Sequence, residues 1–361
     1  MKFKILTLII AGVTLTTAAF SQSKVISPDK VWTAEKADEW YKKQPWLVGA
    51  DYIPATAINQ LEMWQADTFD AATINKELGW AEGIGMNTMR VFLHSLAYKA
   101  DPAGFKSRIN QFLTIADKHH IRPLFVFFDD CWNKVPQIGK QPAKKLGIHN
   151  SGWMQDPGDP AYKETSGYPA LETYVKDILK TFSHDKRILL WDLYNEPGNS
   201  GKVSTSLPLL IKIFTWAREV NPEQPVTAGL WNWSEKFSEL NKFQLANSDV
   251  ISYHCYDNPA EHLRTIELLK LFGRPLVCTE YMARPRNSTF ANTLPILKKQ
   301  NVAAINWGFV DGKTNTKYAW SAPMPDGAEP ALWFHEIFKA DGTPYKKEET
   351  DLIKELTAAK P

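Results

Sequence analysis

The sequence predicts an α/β chain folded as a single (β/α)8 TIM barrel. Three observations carry that expectation. Eight short runs of apolar, β-forming residues recur along the chain, and segments with helical apolar spacing lie between them. That alternation builds βα units around a parallel sheet. No Gly-x-Gly-x-x-Gly follows the first run, which argues against an open dinucleotide-binding sheet. Eight units within 361 residues suit a closed barrel instead.

The predicted strands cover residues 47–52, 88–93, 123–128, 188–194, 226–230, 250–256, 276–280 and 304–309. Most are continuous apolar runs, as expected of strands buried on both faces. Four helices follow from shared faces. Ile74, Leu78, Ala81 and Ile84 form the first, and Ile109, Phe112, Leu113 and Ala116 the second. Leu171, Tyr174, Val175, Ile178 and Phe182 form the third, and Leu210, Phe214, Ala217 and Val220 the fourth. The longest connection runs from Asp129 to about Leu171, after the third strand, and carries Trp132, His149, Asn150 and Trp153. A connection of that length in a compact domain is usually functional. On a barrel it is expected to hang over the C-terminal face.

Residues 1–21 read as a signal peptide. Lys2 and Lys4 form a basic start, Ile5 to Val13 is mostly apolar, and Ala19-Phe20-Ser21 offers small residues where a signal peptidase reads. The plain alternative is a membrane anchor, but the apolar run is short for a span of ~20 residues. No second hydrophobic stretch follows, so no membrane span is expected. Residues 22–361 then form one domain, expected to be monomeric and to work in the periplasm or outside the cell.

Lys and Arg number 42 against 40 for Asp and Glu, so nothing points to nucleic acid. Fourteen tryptophans beside so little net charge suit a surface that stacks on neutral sugar rings. Cys131, Cys255 and Cys278 lie in or next to predicted strands and read as buried thiols. A Cys255–Cys278 disulfide is open if their strands are neighbours. No CxxC or His-rich spacing suggests a metal, and no cofactor is expected.

The chemistry lies at two strand ends. Trp191-Asp192-Leu193-Tyr194-Asn195-Glu196-Pro197 closes the fourth strand, and Cys278-Thr279-Glu280-Tyr281 closes the seventh. A carboxylate at the end of a buried strand is costly unless it is used. Two of them at one barrel mouth match what glycosidic-bond cleavage needs: one protonated acid and one ionised nucleophile or base. For either glutamate alone, a structural ion pair is the plain alternative.

Asn-Glu-Pro at one strand end with a later strand-end Glu resembles the retaining barrel hydrolases of glycoside hydrolase family 5. The resemblance implies Glu196 as acid/base, Glu280 as nucleophile and Asn195 as a partner of the sugar 2-hydroxyl. It also implies that Arg90 pairs with the nucleophile and that Tyr256 donates to it. His254 would orient the acid/base or touch sugar, and Trp307 would floor the cleavage subsite. Many family members carry a His near the end of the third strand. Here Asp129 or Asp130 takes that place, with Asp130 the chosen sugar-hydroxyl acceptor. Trp333-Phe334-His335 and the following Asp341-Gly342-Thr343-Pro344 resemble the eighth helix and exit of such barrels. Trp132 and Trp231 are the leading sugar platforms, with Trp64, Trp153, Trp233 and Trp320 as further candidates.

The expected activity is hydrolysis of β-linked polysaccharide or oligosaccharide by double displacement, with xylan or another hemicellulose favoured. A barrel that only binds glycans, or a transglycosylase using the same residues, are the alternatives.

Overall fold

The structure, a computed structural model, describes residues 25–159 and 165–358. The expected signal peptide lies outside the described residues.

Eight parallel strands form the sheet: β1 Val48–Asp51, β2 Thr88–Phe92, β3 Leu124–Asp129, β4 Leu190–Asn195, β5 Val226–Thr227, β6 Ile251–His254, β7 Leu276–Glu280 and β8 Ala303–Asn306. Their order is β5-β4-β3-β2-β1-β8-β7-β6. A parallel bridge between Leu230 and Tyr253 joins β5 to β6 and closes the barrel. β5 is shorter than the expected 226–230. The Gly229 carbonyl accepts from the Gln244 side chain at 2.7 Å, so the chain leaves the ladder before Leu230 rejoins it. A strand-interior glycine makes such a departure cheap.

The four helices predicted from their apolar faces are present as Ala71–Gly83, Pro102–Lys118, Tyr168–Phe182 and Val203–Val220. Their predicted core residues are buried, apart from Val220, which is only partly so. The Trp333–His335 segment is not helical, and the last described helix is Lys347–Ala358. Arg284 explains the difference. Its guanidinium takes the carbonyls of Trp333, His335 and Glu336, which a helix would need for its own ladder.

Two apolar clusters sit at the ends of the barrel, separate from the main core. At the N-terminal end, Leu47, Leu124, Leu189, Val250, Val277 and Ala303 pack under Trp32, Ala37 and Tyr41 of the chain's lead-in. The helix Ala34–Lys42 thereby plugs the bottom. At the other end, Phe92, Val126, Trp153 and Trp307 form a separate aromatic layer beneath the mouth. The long connection after β3 supplies Trp153, as its expected position over the C-terminal face requires.

All three cysteines are buried and free. β6 and β7 are neighbours, but Tyr253 rather than Cys255 stands opposite Cys278, so the disulfide left open by the sequence does not form. No described helix is long and apolar enough to cross a membrane.

Candidate active site

The mouth of the barrel gathers Glu196, Glu280, Arg90, Asn195, His254 and Tyr256 from four strands and the residues just past them. Each position follows from strand geometry. Glu280 is the last residue of β7, and Asn195 ends β4. Glu196 comes next and takes a left-handed backbone, φ 45°. A non-glycine residue there is strained, and such strain persists only where its surroundings over-determine it.

The end of β3 provides that determination. Three successive residues hold the turn from behind. Asp129 Oδ1 accepts from Asn195 Nδ2 at 2.9 Å. Asp130 accepts from the Tyr194 hydroxyl at 3.0 Å, the Gly198 backbone at 2.8 Å and the Ser206 hydroxyl at 2.5 Å. Cys131 Sγ lies 3.2 Å from Glu196 Oε2. Asn199 Nδ2 donates to that same oxygen.

This corrects the expectation for Asp130. Its side chain is completely enclosed and engaged by the β4 turn, so it does not present an acceptor to sugar. Asp129 is likewise turned inward, with Trp153 Nε1 on its other oxygen at 2.6 Å. Burial raises Asp129 to about 6, against the pull of those donors.

Glu280 is held from two sides. Arg90 Nη1 donates to Oε1 at 2.9 Å, and the Tyr256 hydroxyl donates to Oε2 at 2.7 Å. Arg90 is fully buried and also binds Asp51 Oδ1 at 2.9 Å, Asp192 Oδ2 at 2.8 Å and Asn195 Oδ1 at 2.6 Å. One cation thus faces three carboxyl groups. Burial pushes Asp51 well above the usual carboxylate range, against the pull of Arg90, and the charges of Glu280 and Asp192 add to the push. Asp192 is raised too, by burial. The sequence reading missed both. The signal was Asp192 itself, a charged residue inside an apolar strand, which must have a buried partner.

His254 sits between the two glutamates. Its Nδ1 is 2.9 Å from Glu196 Oε1 and 3.4 Å from Glu280 Oε2. Burial lowers it to about 4, so the ring is neutral near pH 7. Single oxygens of Glu196 and Glu280 and a His254 nitrogen all lie within 4.8 Å of one another. So close a set also resembles a cation site. Arg90 already supplies positive charge there, and both oxygens of Glu196 are engaged, so we assign it no metal.

Both glutamates are raised above the ordinary value by burial. For Glu280, Arg90 and the Tyr256 hydroxyl pull the other way, while the charge of Glu196 adds to the rise. For Glu196, Cys131 and Asn199 offset part of the rise. Of the two, Glu280 has the guanidinium directly on its carboxylate, a contact that favours its ionised form.

Around these carboxyls the aromatic residues divide. Trp307 follows β8 and packs edge-on against Phe92 and Trp153, with ring centroids 5.9 and 5.4 Å away. Trp231 donates to the Pro197 carbonyl at 3.1 Å, beside Glu196. Trp320 is 4.9 Å from the Tyr256 ring. Trp132 is 39% exposed and lies 5.3 Å from the His149 ring, and Trp233 is also exposed. Trp64 is no platform: it is wholly buried in the core, with its indole N–H on the Phe92 carbonyl.

No protein-family model and no curated protein matches the chain. Solved structures do. An endo-β-1,4-mannanase from Thermotoga petrophila aligns at 14% identity and TM-score 0.56, over 88% of this chain and 77% of that one. The exo-β-1,4-mannosidase Op5Man5 from Opitutaceae bacterium strain TAV5 aligns at 17% identity and TM-score 0.60, over 93% of this chain and 62% of that one. A GH5_18 protein from Streptomyces cattleya, solved with Manβ1-4GlcNAc, aligns at 10% identity and TM-score 0.57, over 87% and 80%. At these identities the likeness is one of fold: the chain carries the (β/α)8 barrel of these glycoside hydrolase structures.

Proposed function

We propose that the protein is a retaining β-glycoside hydrolase acting on β-linked polysaccharide or oligosaccharide. The observation that carries this reading is the pairing of Glu196 and Glu280. Oxygens of the two carboxyls lie within 4.8 Å, and of the two glutamates it is Glu280 that receives Arg90 and Tyr256. Retaining enzymes hold their carboxyls ~5–5.5 Å apart, and inverting enzymes leave a gap of ~6.5–9.5 Å for water.

Glu280 attacks the anomeric carbon while Glu196 gives its proton to the leaving oxygen. The glycosidic bond breaks as the Glu280 ester forms. Glu196, now ionised, takes a proton from water, and the hydroxide equivalent displaces Glu280. Asn195, whose amide is fixed by Arg90 and Asp129, is read from the family likeness as the partner of a sugar hydroxyl. Trp307 supplies the apolar floor, and Trp132 and Trp231 supply outer stacking surface.

The neighbouring structures are named as mannanases and a mannosidase, so β-1,4-mannosides come first among substrates. Xylan, favoured from sequence, has no support in those names. Action outside the cytoplasm is part of the proposal and rests on residues 1–21 alone.

The test is product release from a panel of β-mannan, xylan and β-glucan, run with and without acceptor sugars, for wild type and Glu280→Ala. Wild type is expected to release reducing sugar with retained configuration. The variant should lose turnover by roughly 10⁴-fold or more while still binding glycan. A wild-type chain that binds but cleaves nothing would be a glycan-binding barrel. Products extended by the acceptor would make it a transglycosylase. Near-normal turnover by Glu280→Ala would remove the nucleophile assignment.

A further inference from the structure

We propose that Cys131 is a positioning residue for Glu196. Its thiol and the Asn199 amide hold Oε2 as the accepting oxygen and leave Oε1 to carry the transferable proton. This rests on the reading of Glu196 as acid/base.

The geometry is specific to one oxygen. Cys131 Sγ is 3.2 Å from Glu196 Oε2, and Asn199 Nδ2 donates to the same atom. Oε1 instead faces His254 Nδ1 at 2.9 Å, on the side where Glu280 lies. A protonated carboxyl has one hydroxyl oxygen and one accepting oxygen. Placing the proton on Oε2 would set it against an S–H and an N–H that both need an acceptor. The proton therefore rides on Oε1, where the neutral His254 accepts it through Nδ1 on the side facing Glu280, until a glycosidic oxygen takes it.

The thiol is fixed in that role. The Cys131 backbone N–H is tied to Asp129 Oδ1 at 2.9 Å. Asn195 and Asn199 amides approach Sγ at 3.5 and 3.4 Å. Burial pushes the thiol well above its ordinary range, and the charges of Asp129, Glu196 and Glu280 push the same way. It stays an S–H, a donor, and is not a nucleophile in its own right. An S–H on an ionised Glu196 also favours the base form that the second half of the reaction needs.

Glu196 is faced by Arg90 from β2, Asp130 and Cys131 from the end of β3, His254 from β6 and Glu280 from β7, with Asn199 on its own turn. Among these, Cys131 can be exchanged without removing a charge or a nitrogen ligand of the carboxyl.

The experiment compares wild type, Cys131→Ser and Cys131→Ala. The Glu196 side-chain carboxyl carbon is titrated by carbon-13 NMR, its resonance assigned by its loss in Glu196→Gln. Turnover is measured across pH on the best substrate. Cys131→Ala is expected to raise the Glu196 pKa and move the basic limb of kcat/KM upward. It should lower kcat by about five- to tenfold with KM within about twofold, the effect of losing one modest hydrogen bond. Cys131→Ser keeps a donor and should return both quantities toward wild type, which a simple packing role would not do. Unchanged Glu196 titration in a folded Cys131→Ala, or a Ser variant no better than Ala, would overturn the proposal. If the titration moves as expected but the wild-type chain hydrolyses no glycoside, the hydrogen bond stands and the acid/base reading falls.

Discussion

Arg90 Nη1 and Glu280 Oε1 lie 2.9 Å apart inside the barrel, with the guanidinium wholly shielded from solvent. The same guanidinium also holds Asp51 and Asp192. Asp51 Oδ2 and Asp192 Oδ1 have no hydrogen-bond partner among the described residues. Arg90 therefore serves both the proposed chemistry and the core, and the two roles separate by experiment.

Arg90→Leu should destabilise the fold by about 3–5 kcal/mol at neutral pH, because it leaves buried carboxyls without their cation. The loss should shrink at acid pH, where those carboxyls take up protons. Urea unfolding at two pH values measures it. Equal stability of variant and wild type at pH 7 would mean that the carboxyls are already neutral without Arg90.

Activity should follow a bell-shaped pH profile whose limbs belong to the Glu196–Glu280 pair. The acidic limb reports ionisation of Glu280, and the basic limb reports loss of the Glu196 proton. Glu280→Gln removes a neighbouring negative charge and should lower the Glu196 pKa, seen by carbon-13 titration. The same change occurs naturally when the glycosyl ester forms, which frees Glu196 to act as base. Identical Glu196 titration in wild type and Glu280→Gln would mean that the carboxyls do not sense one another.

Glu336 should make the protein less stable as pH rises. It is fully buried, receives the Thr316 hydroxyl on one oxygen and has no partner on the other among the described residues. Burial raises it from 4.5 to about 8. The folded chain then keeps a proton that the unfolded chain has released. Stability from this group is full below about pH 4.5 and is lost as pH climbs toward 8. Asp156, raised by burial from 3.8 to about 8, contributes in the same direction. Thermal unfolding of Glu336→Gln from pH 4 to 9 should give a flatter curve than wild type. Parallel curves would show that Glu336 does not titrate in that window.

The sequence by itself determined the barrel and four of its helices, and it singled out the two glutamates of the candidate site. Eight apolar runs leave little choice of architecture, because buried parallel strands need helices on their outer faces. Glu196 and Glu280 were legible because a charge at a buried strand end demands a reason. Arg90, His254 and Tyr256 were legible only through the likeness to known barrels, and the structure brings all three to the glutamates.

Tertiary structure decided the rest, since a side chain's role depends on what stands opposite it. Asp130 and Cys131 are adjacent in sequence, yet one is enclosed against Gly198 and Ser206 while the other reaches Glu196. Strand alternation sends neighbours to different sides, but it does not say which partner each will meet. Trp64 and Trp132 both read as candidate sugar platforms, and only packing placed one in the core and left the other exposed. The Trp333–His335 segment reads as helical only from the likeness to known barrels. Its carbonyls belong to Arg284, some fifty residues earlier in the chain, and no local pattern could have assigned them there.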